Sequence, residues 1–113
     1  MSPNSAKATL VAGAAPMFAA LGDETRLKLV ARLCSGGPLP ITRLTSGSGV
    51  TRQAITKHLS VLADAGLVHD SRRGRERIWD LDTARLDEAR RYLDEISKRW
   101  DEALDRLKTF VED

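Results

Sequence analysis

The stretch VTRQAITKHLSVLADAGLVHDSRRGRERIWDL, Val50 to Leu81, leaves the chain few ways to fold. Its first half has the marks of a helix over about residues 51–65. Thr51 is a good N-cap, because its hydroxyl accepts from a free backbone N–H of the first turn. Val50 and Ile55 are spaced as a hydrophobic staple that fixes how the chain enters. Ile55, Leu59 and Leu62 follow at helical spacing and form a buried stripe. Gly66 ends the helix, since glycine takes the left-handed conformation without a Cβ clash. The remainder, Leu67 to Leu81, is too short for another helix with its connections. Gly74 divides it into two runs, and Ile78 and Trp79 suit a strand. A two-stranded hairpin over about residues 67–81, turning near Arg73 and Gly74, is expected.

Side-chain directions suggest a use. At about 100° per residue, Gln53, Lys57, Ser60 and Asp64 point away from the buried stripe, with Arg52 and Thr56 on its flank. Arg and Lys can bond guanine, Gln can bond adenine, and Thr can meet either a base edge or a thymine methyl in a DNA major groove. A polar helix face taken alone is more simply read as solvated. The hairpin changes that balance. Its tip holds Arg72, Arg73, Arg75 and Arg77 against Glu76 alone, which suits a phosphate clamp or a minor-groove probe. Such arginines can also serve only to discourage strand pairing at an open edge.

The charge distribution supports the nucleic-acid reading. The net charge of the 113 residues is only +2. Residues 41–81 hold seven basic and four acidic side chains, whereas residues 82–113 hold seven basic and ten acidic. The basic part coincides with the helix and hairpin, the footprint of a nucleic-acid reader. The acidic part should face away from phosphate.

Upstream, residues 1–14 read as a loose N-terminal arm. Pro16 fits the first turn of a short helix with Met17, Phe18 and Leu21 on its apolar side, closed by Gly22. Asp23 can cap the next helix, which runs to about Cys34. Leu27, Val30, Leu33 and Cys34 are expected to line its buried face. Pro40 can start a third, short helix with Ile41 and Leu44 inward, and Gly47 and Gly49 make the turn into the helix at Thr51. Two helices joined by a tight glycine-containing turn, the second followed by a hairpin, form a winged helix-turn-helix.

Downstream, about residues 84–111 contain neither Pro nor Gly. Leu86, Leu93, Trp100 and Leu107 recur every seven residues, and Ala89, Ile96, Ala103 and Phe110 do so on the neighbouring position. Tyr92, Leu104 and Val111 widen the stripe. A helix of about 25 residues spans about 40 Å, further than a small domain can cover. A second copy of the chain is the economical partner for the surplus apolar surface. The expected dimer interface is Leu86, Ala89, Leu93, Ile96, Trp100, Leu104, Leu107 and Phe110, joined by Met17 and Phe18. The fold class expected is mainly α with a small β-hairpin, in one domain over residues 15–113 after the arm.

The segments FAALGDETRLKLVARL, ITRLTSGSGVTRQAITKHLSVLADAGLV and RRGRERIWDL, in that order and spacing, resemble the ArsR/SmtB family of bacterial winged-helix transcriptional regulators. The similarity covers the chain from about Ala15 onward. It implies a homodimer that binds double-stranded operator DNA, usually as a repressor, with the Thr51 helix in the major groove and the Gly74 hairpin as wing. By matching position it implies DNA contacts from Thr51, Arg52, Gln53, Thr56, Lys57 and His58. Helical geometry puts His58 on the flank, where it either reaches a phosphate or packs at the core edge. Many members sense metals, and this sequence departs from them. The segment matching the Cys-x-Cys motif of the arsenic and cadmium sensors, Leu39 to Leu44, has no thiol. The last helix lacks the histidine of the zinc sensors, and imidazole is the usual nitrogen ligand there. No metal site, no cofactor and an unknown effector are therefore expected.

Other classes fit less well. Nothing in the sequence supplies a glycine-rich phosphate loop or a nucleophile with its base, so an enzyme is not expected. Cys34, the one cysteine, excludes an internal disulfide and reads as a small buried hydrophobe rather than a redox site. No secretory signal or membrane-crossing run is seen, which favours a cytoplasmic protein. A winged-helix protein-interaction module, or a redox- or ligand-responsive regulator acting through Cys34, stays open.

Overall fold

The computed structural model describes residues 3–112, with side-chain burial from residue 11 onward. The chain forms α1 (Pro3–Leu21), α2 (Glu24–Gly36), β1 (Leu39–Pro40), α3 (Ile41–Thr45), α4 (Arg52–Asp64), β2 (Val68–Arg73), β3 (Glu76–Leu81) and α5 (Thr83–Glu112). The architecture is a winged helix-turn-helix with a long final helix. None of the described helices is long and apolar enough to cross a membrane.

The first helix reaches into the stretch expected as an arm, residues 1–14. It begins at Pro3 and continues through Pro16, while Met1 and Ser2 lie outside the described residues. Pro3 occupies the first turn, where its missing N–H is no loss, and an alanine-rich run with good helix propensity follows. Pro16 forfeits one backbone bond. Burial of Ala14, Met17 and Ala20 along one face offsets that loss. This face lies against α5, where the Phe18 ring is 5.6 Å from that of Tyr92.

In α2, the Asp23 carboxylate accepts the Arg26 N–H at 3.0 Å and caps the helix. The inward face is Leu29, Val30 and Leu33, not the expected Leu27, Val30, Leu33 and Cys34. Leu27 and Cys34 are exposed. Both sets fit a helical stripe, and the position of α4 selects the first.

The wing has one more strand than expected. Leu39 pairs with Trp79 and Pro40 with Ile78, making an antiparallel sheet in the order β1-β3-β2. Proline can take part because β1 is an edge. The β2–β3 hairpin pairs Val68 with Leu81 and Arg73 with Glu76. Its two-residue connection, Gly74–Arg75, has positive φ at Gly74 alone, the pattern of a type II′ turn.

The core gathers Met17, Leu29, Leu33, Leu44, Ile55, Leu59, Leu62, Leu67, Val68, Trp79 and Ala89. Its hinge is Gly66, where α4 ends in a Schellman motif. The Leu67 N–H donates to the Leu62 carbonyl and the Gly66 N–H to that of Ala63, both at 2.9 Å. Leu62 and Leu67 are both fully buried, the hydrophobic contact that accompanies this motif. A Cβ on Gly66 would lie 2.8 Å from Arg85 Nε, at a φ of +79°. Asp82 then caps α5 by accepting the Arg85 N–H at 3.1 Å.

Candidate nucleic-acid interface

The helix-turn-helix is held by short-range polar bonds. Thr51 Oγ1 accepts the Ala54 N–H at 3.1 Å and starts α4. In the turn, Ser48 Oγ donates to the Thr45 carbonyl at 2.7 Å and accepts the Val50 N–H at 3.1 Å. Arg32 reaches across from α2, and its Nη1 donates to the carbonyls of Leu44 and Ser46 at 3.0 and 3.1 Å. These carbonyls end α3, so Arg32 fixes the first helix of the pair against the body of the domain. A cleft of about 450 Å³ opens beside this arginine, with Leu29, Leu44 and Ile55 in its wall.

Arg52, Gln53, Lys57 and Ser60 are exposed on α4, on the side away from Ile55, Leu59 and Leu62. Thr51 and Thr56 are less free than their polarity suggests. The Thr51 oxygen is occupied as the cap, and the Thr56 O–H donates to the Arg52 carbonyl at 2.9 Å. Thr56 is left with its methyl and its acceptor lone pairs.

His58 is partly buried on the flank of α4 and faces α2. Its Nδ1 lies 3.3 Å from Arg26 Nη1 and 3.8 Å from Asp23 Oδ2. The Arg26 N–H that Asp23 accepts holds the Asp23 carboxyl below the usual carboxylate range, aided by the positive charge of Arg26. Sequence reading missed both Arg26 and Arg32. Arg26 left a trace, because it stands three residues before Leu29 on the inward stripe. Arg32 left none, since its acceptors are backbone carbonyls.

The four wing arginines divide into two kinds. Arg77 Nε bonds Asp70 across the sheet, and its guanidinium sits 5.3 Å from the Trp79 ring centroid. The Arg77 hydrogen bond holds the Asp70 carboxyl below its ordinary range. Arg77 is thereby tied to Asp70 across the hairpin, with its side chain 55% exposed. Arg72, Arg73 and Arg75 are exposed and form no ion pair among the described residues. The cations without an ion pair among the described residues thus lie at the wing tip.

The expected dimer residues also divide. Met17 and Ala89 are 1% and 5% exposed within the single chain, so they have no surface to offer a partner. They close the α1–α5 packing of their own protomer. Phe18 and Leu86 are half-buried against the same core, and Ile96 is half-buried further along α5. Leu93, Trp100, Leu104, Leu107 and Phe110 are all exposed, Trp100 by 56% and Phe110 by 80%. Among the described residues no three His, Cys, Asp or Glu side chains are grouped to hold a metal ion.

Comparison with known proteins gives this geometry a context. A helix-turn-helix domain model matches residues 21–70. The HTH-type transcriptional regulator YuzN of Bacillus subtilis is 44% identical over 55% of this chain and 74% of its own length. The HTH-type transcriptional regulator Rv2034 of Mycobacterium tuberculosis is 40% identical over 75% of this chain and 76% of its own. Among solved structures, an ArsR-like transcriptional regulator from Rhodococcus sp. RHA1 superposes with a TM-score of 0.71. It is 36% identical and covers 88% of this chain and 92% of its own.

Proposed function

The chain belongs to the ArsR family of winged-helix transcriptional regulators, and on that premise we propose that it works as a homodimeric repressor of a palindromic operator. The observation that carries this reading is that two consecutive elements each leave cations in solvent, Arg52 and Lys57 beside Gln53 on α4 and Arg72, Arg73 and Arg75 at the wing tip. Gln53 and Lys57 read base edges in the major groove, with Arg52, Thr51 and Thr56 at its margin. The wing arginines hold phosphates and fix the register. Two copies joined through the exposed stripe of α5 set two reading helices about one duplex turn, or a multiple, apart. Bound there, the dimer excludes polymerase from the promoter. The inducer is not a metal of the kinds sensed through a thiol pair before the turn or a histidine on the last helix, because those positions lack the ligands.

Selection tests the whole reading. The purified chain is incubated with a random pool of duplexes, and the retained sequences are read. A two-fold symmetric consensus is expected. Recovery of unrelated sequences at every round would remove it.

Two substitutions separate base reading from phosphate holding. Gln53→Ala lowers the preference for the selected duplex over a random one by about 1–3 kcal/mol, the worth of one good bidentate base contact. Equal losses on both duplexes would take Gln53 out of base reading. Arg75→Ala weakens binding to every sequence and flattens the slope of log affinity against log salt by about one unit for each phosphate left without its cation. An unchanged slope in a salt titration would take the wing off the phosphates.

A further inference from the structure

Arg26 touches three helices at once. Its backbone N–H is held by Asp23 at the start of α2. Its Nε donates to the Ala20 carbonyl, in the last turn of α1, at 2.6 Å. Its Nη1 faces His58 Nδ1, in the middle of α4, at 3.3 Å. Guanidinium has donors only, in a planar fork of fixed directions. A hydrogen bond across this contact has His58 accepting at Nδ1, with its ring proton on Nε2. Arg26 and His58 are both partly buried, where such a bond is less diluted by water than at the surface.

From this geometry we propose that Arg26 is a positioning residue for DNA reading. It fastens the reading helix α4, through His58, to the last turn of α1. The position of α1 is itself fixed by α5, through Met17 in the core and Phe18 against Tyr92. Any rotation that pairing of two protomers imposes on α1 and α5 therefore reaches α4 through one side chain with two directed bonds. Packing alone would leave α4 free to roll by small angles over Leu59 and Leu62, because apolar contact has no direction. A roll shifts the Gln53 and Lys57 tips against base edges, and it matters little to a flexible arginine on a phosphate. The link thus serves sequence discrimination more than total affinity. This inference rests on the reading function proposed above.

The test compares two duplexes of equal length, the one recovered by selection and a random one. The full chain is measured as wild type, Arg26→Gln, His58→Leu, the double variant and His58→Asn. The asparagine amide oxygen falls close to where Nδ1 stands and can accept from Arg26. Arg26→Gln and His58→Leu should each reduce the affinity ratio, selected over random, by about fivefold to tenfold. The double variant should fall no further than the worse single one, because one link is broken in all three. His58→Asn should recover the ratio to within about twofold. Sedimentation and thermal melts should show each variant folded and equally associated at the assay temperature. If Arg26→Gln does not fold, the His58→Leu and His58→Asn pair decides. An unchanged ratio in His58→Leu, losses that multiply in the double variant, or no recovery with asparagine would each overturn the proposal. A wild type that binds both duplexes alike would instead remove the reading function, and this inference with it.

Discussion

Trp100→Asp is expected to leave a folded single protomer whose affinity for the selected duplex is lower by about 10² to 10⁴-fold. That is the range lost when two linked binding events become independent. Trp100 lies at the middle of the exposed stripe, between Leu93 and Phe110, and is itself 56% exposed in the single chain. A carboxylate there is solvated in the protomer, so the helix bears it within about 0.5 kcal/mol. In a paired stripe the same carboxylate would be buried without a partner, at a cost of several kcal/mol. The asymmetry makes the substitution selective for association. Sedimentation gives the mass, circular dichroism the helix content, and a gel shift the affinity. A variant that remains dimeric would place the contact on another face.

Leu59→Ala should act on the opposite half of the balance. Leu59 is fully buried where α4 meets the core. Its truncation leaves a cavity among neighbours fixed by other helices, and the typical cost is about 2–5 kcal/mol. Domains of this size hold about 5–15 kcal/mol in total, so a large share of the stability is lost. The melting temperature should fall by about 8–40 °C, at roughly 4–8 °C per kcal/mol for domains near this length. Leu27→Ala is the control. The same kind of residue on α2, 54% exposed, should change stability by less than about 0.5 kcal/mol. Similar losses in the two variants would reverse the assignment of the inner face of α2.

Features determined by neighbours in sequence were legible without a structure. Thr51 caps and Gly66 stops because the residues that answer them are three positions away, as the bonds with Ala54 and Ala63 show. The seven-residue recurrence through Trp100 and Phe110 is likewise a property of one helix. What the sequence concealed depends on distant partners. Leu39–Pro40 carries no strand signal of its own, and it becomes one only by lying against Trp79 and Ile78. Leu27 and Leu29 are both apolar, and only the placement of α4 decides which is buried. Pro16 looks like a helix start until the packing of Met17 outweighs its missing N–H. Met17 and Ala89 suited a surface between protomers equally well, until α1 and α5 proved to pack on each other. At the candidate interface the exposed side chains of α4 followed from helical phase. The restraint on Arg77 by Asp70, and on His58 by Arg26, did not, because each partner comes from another strand or helix.

The unbroken run of α5 has a mechanical consequence. Its 30 residues begin bound to the core at Leu86 and Ala89 and end in open solvent at Phe110. No hinge intervenes, so the helix is both ruler and protractor. Adding one residue near Asp94 would lengthen it by about 1.5 Å and swing everything beyond by about 100°. Both ends would keep their chemistry, yet the angle between them would change completely. If two copies pair along this helix as proposed, the spacing of their reading helices would be stored as a count of residues, and it would change in small, phase-preserving steps with the length of a single rod.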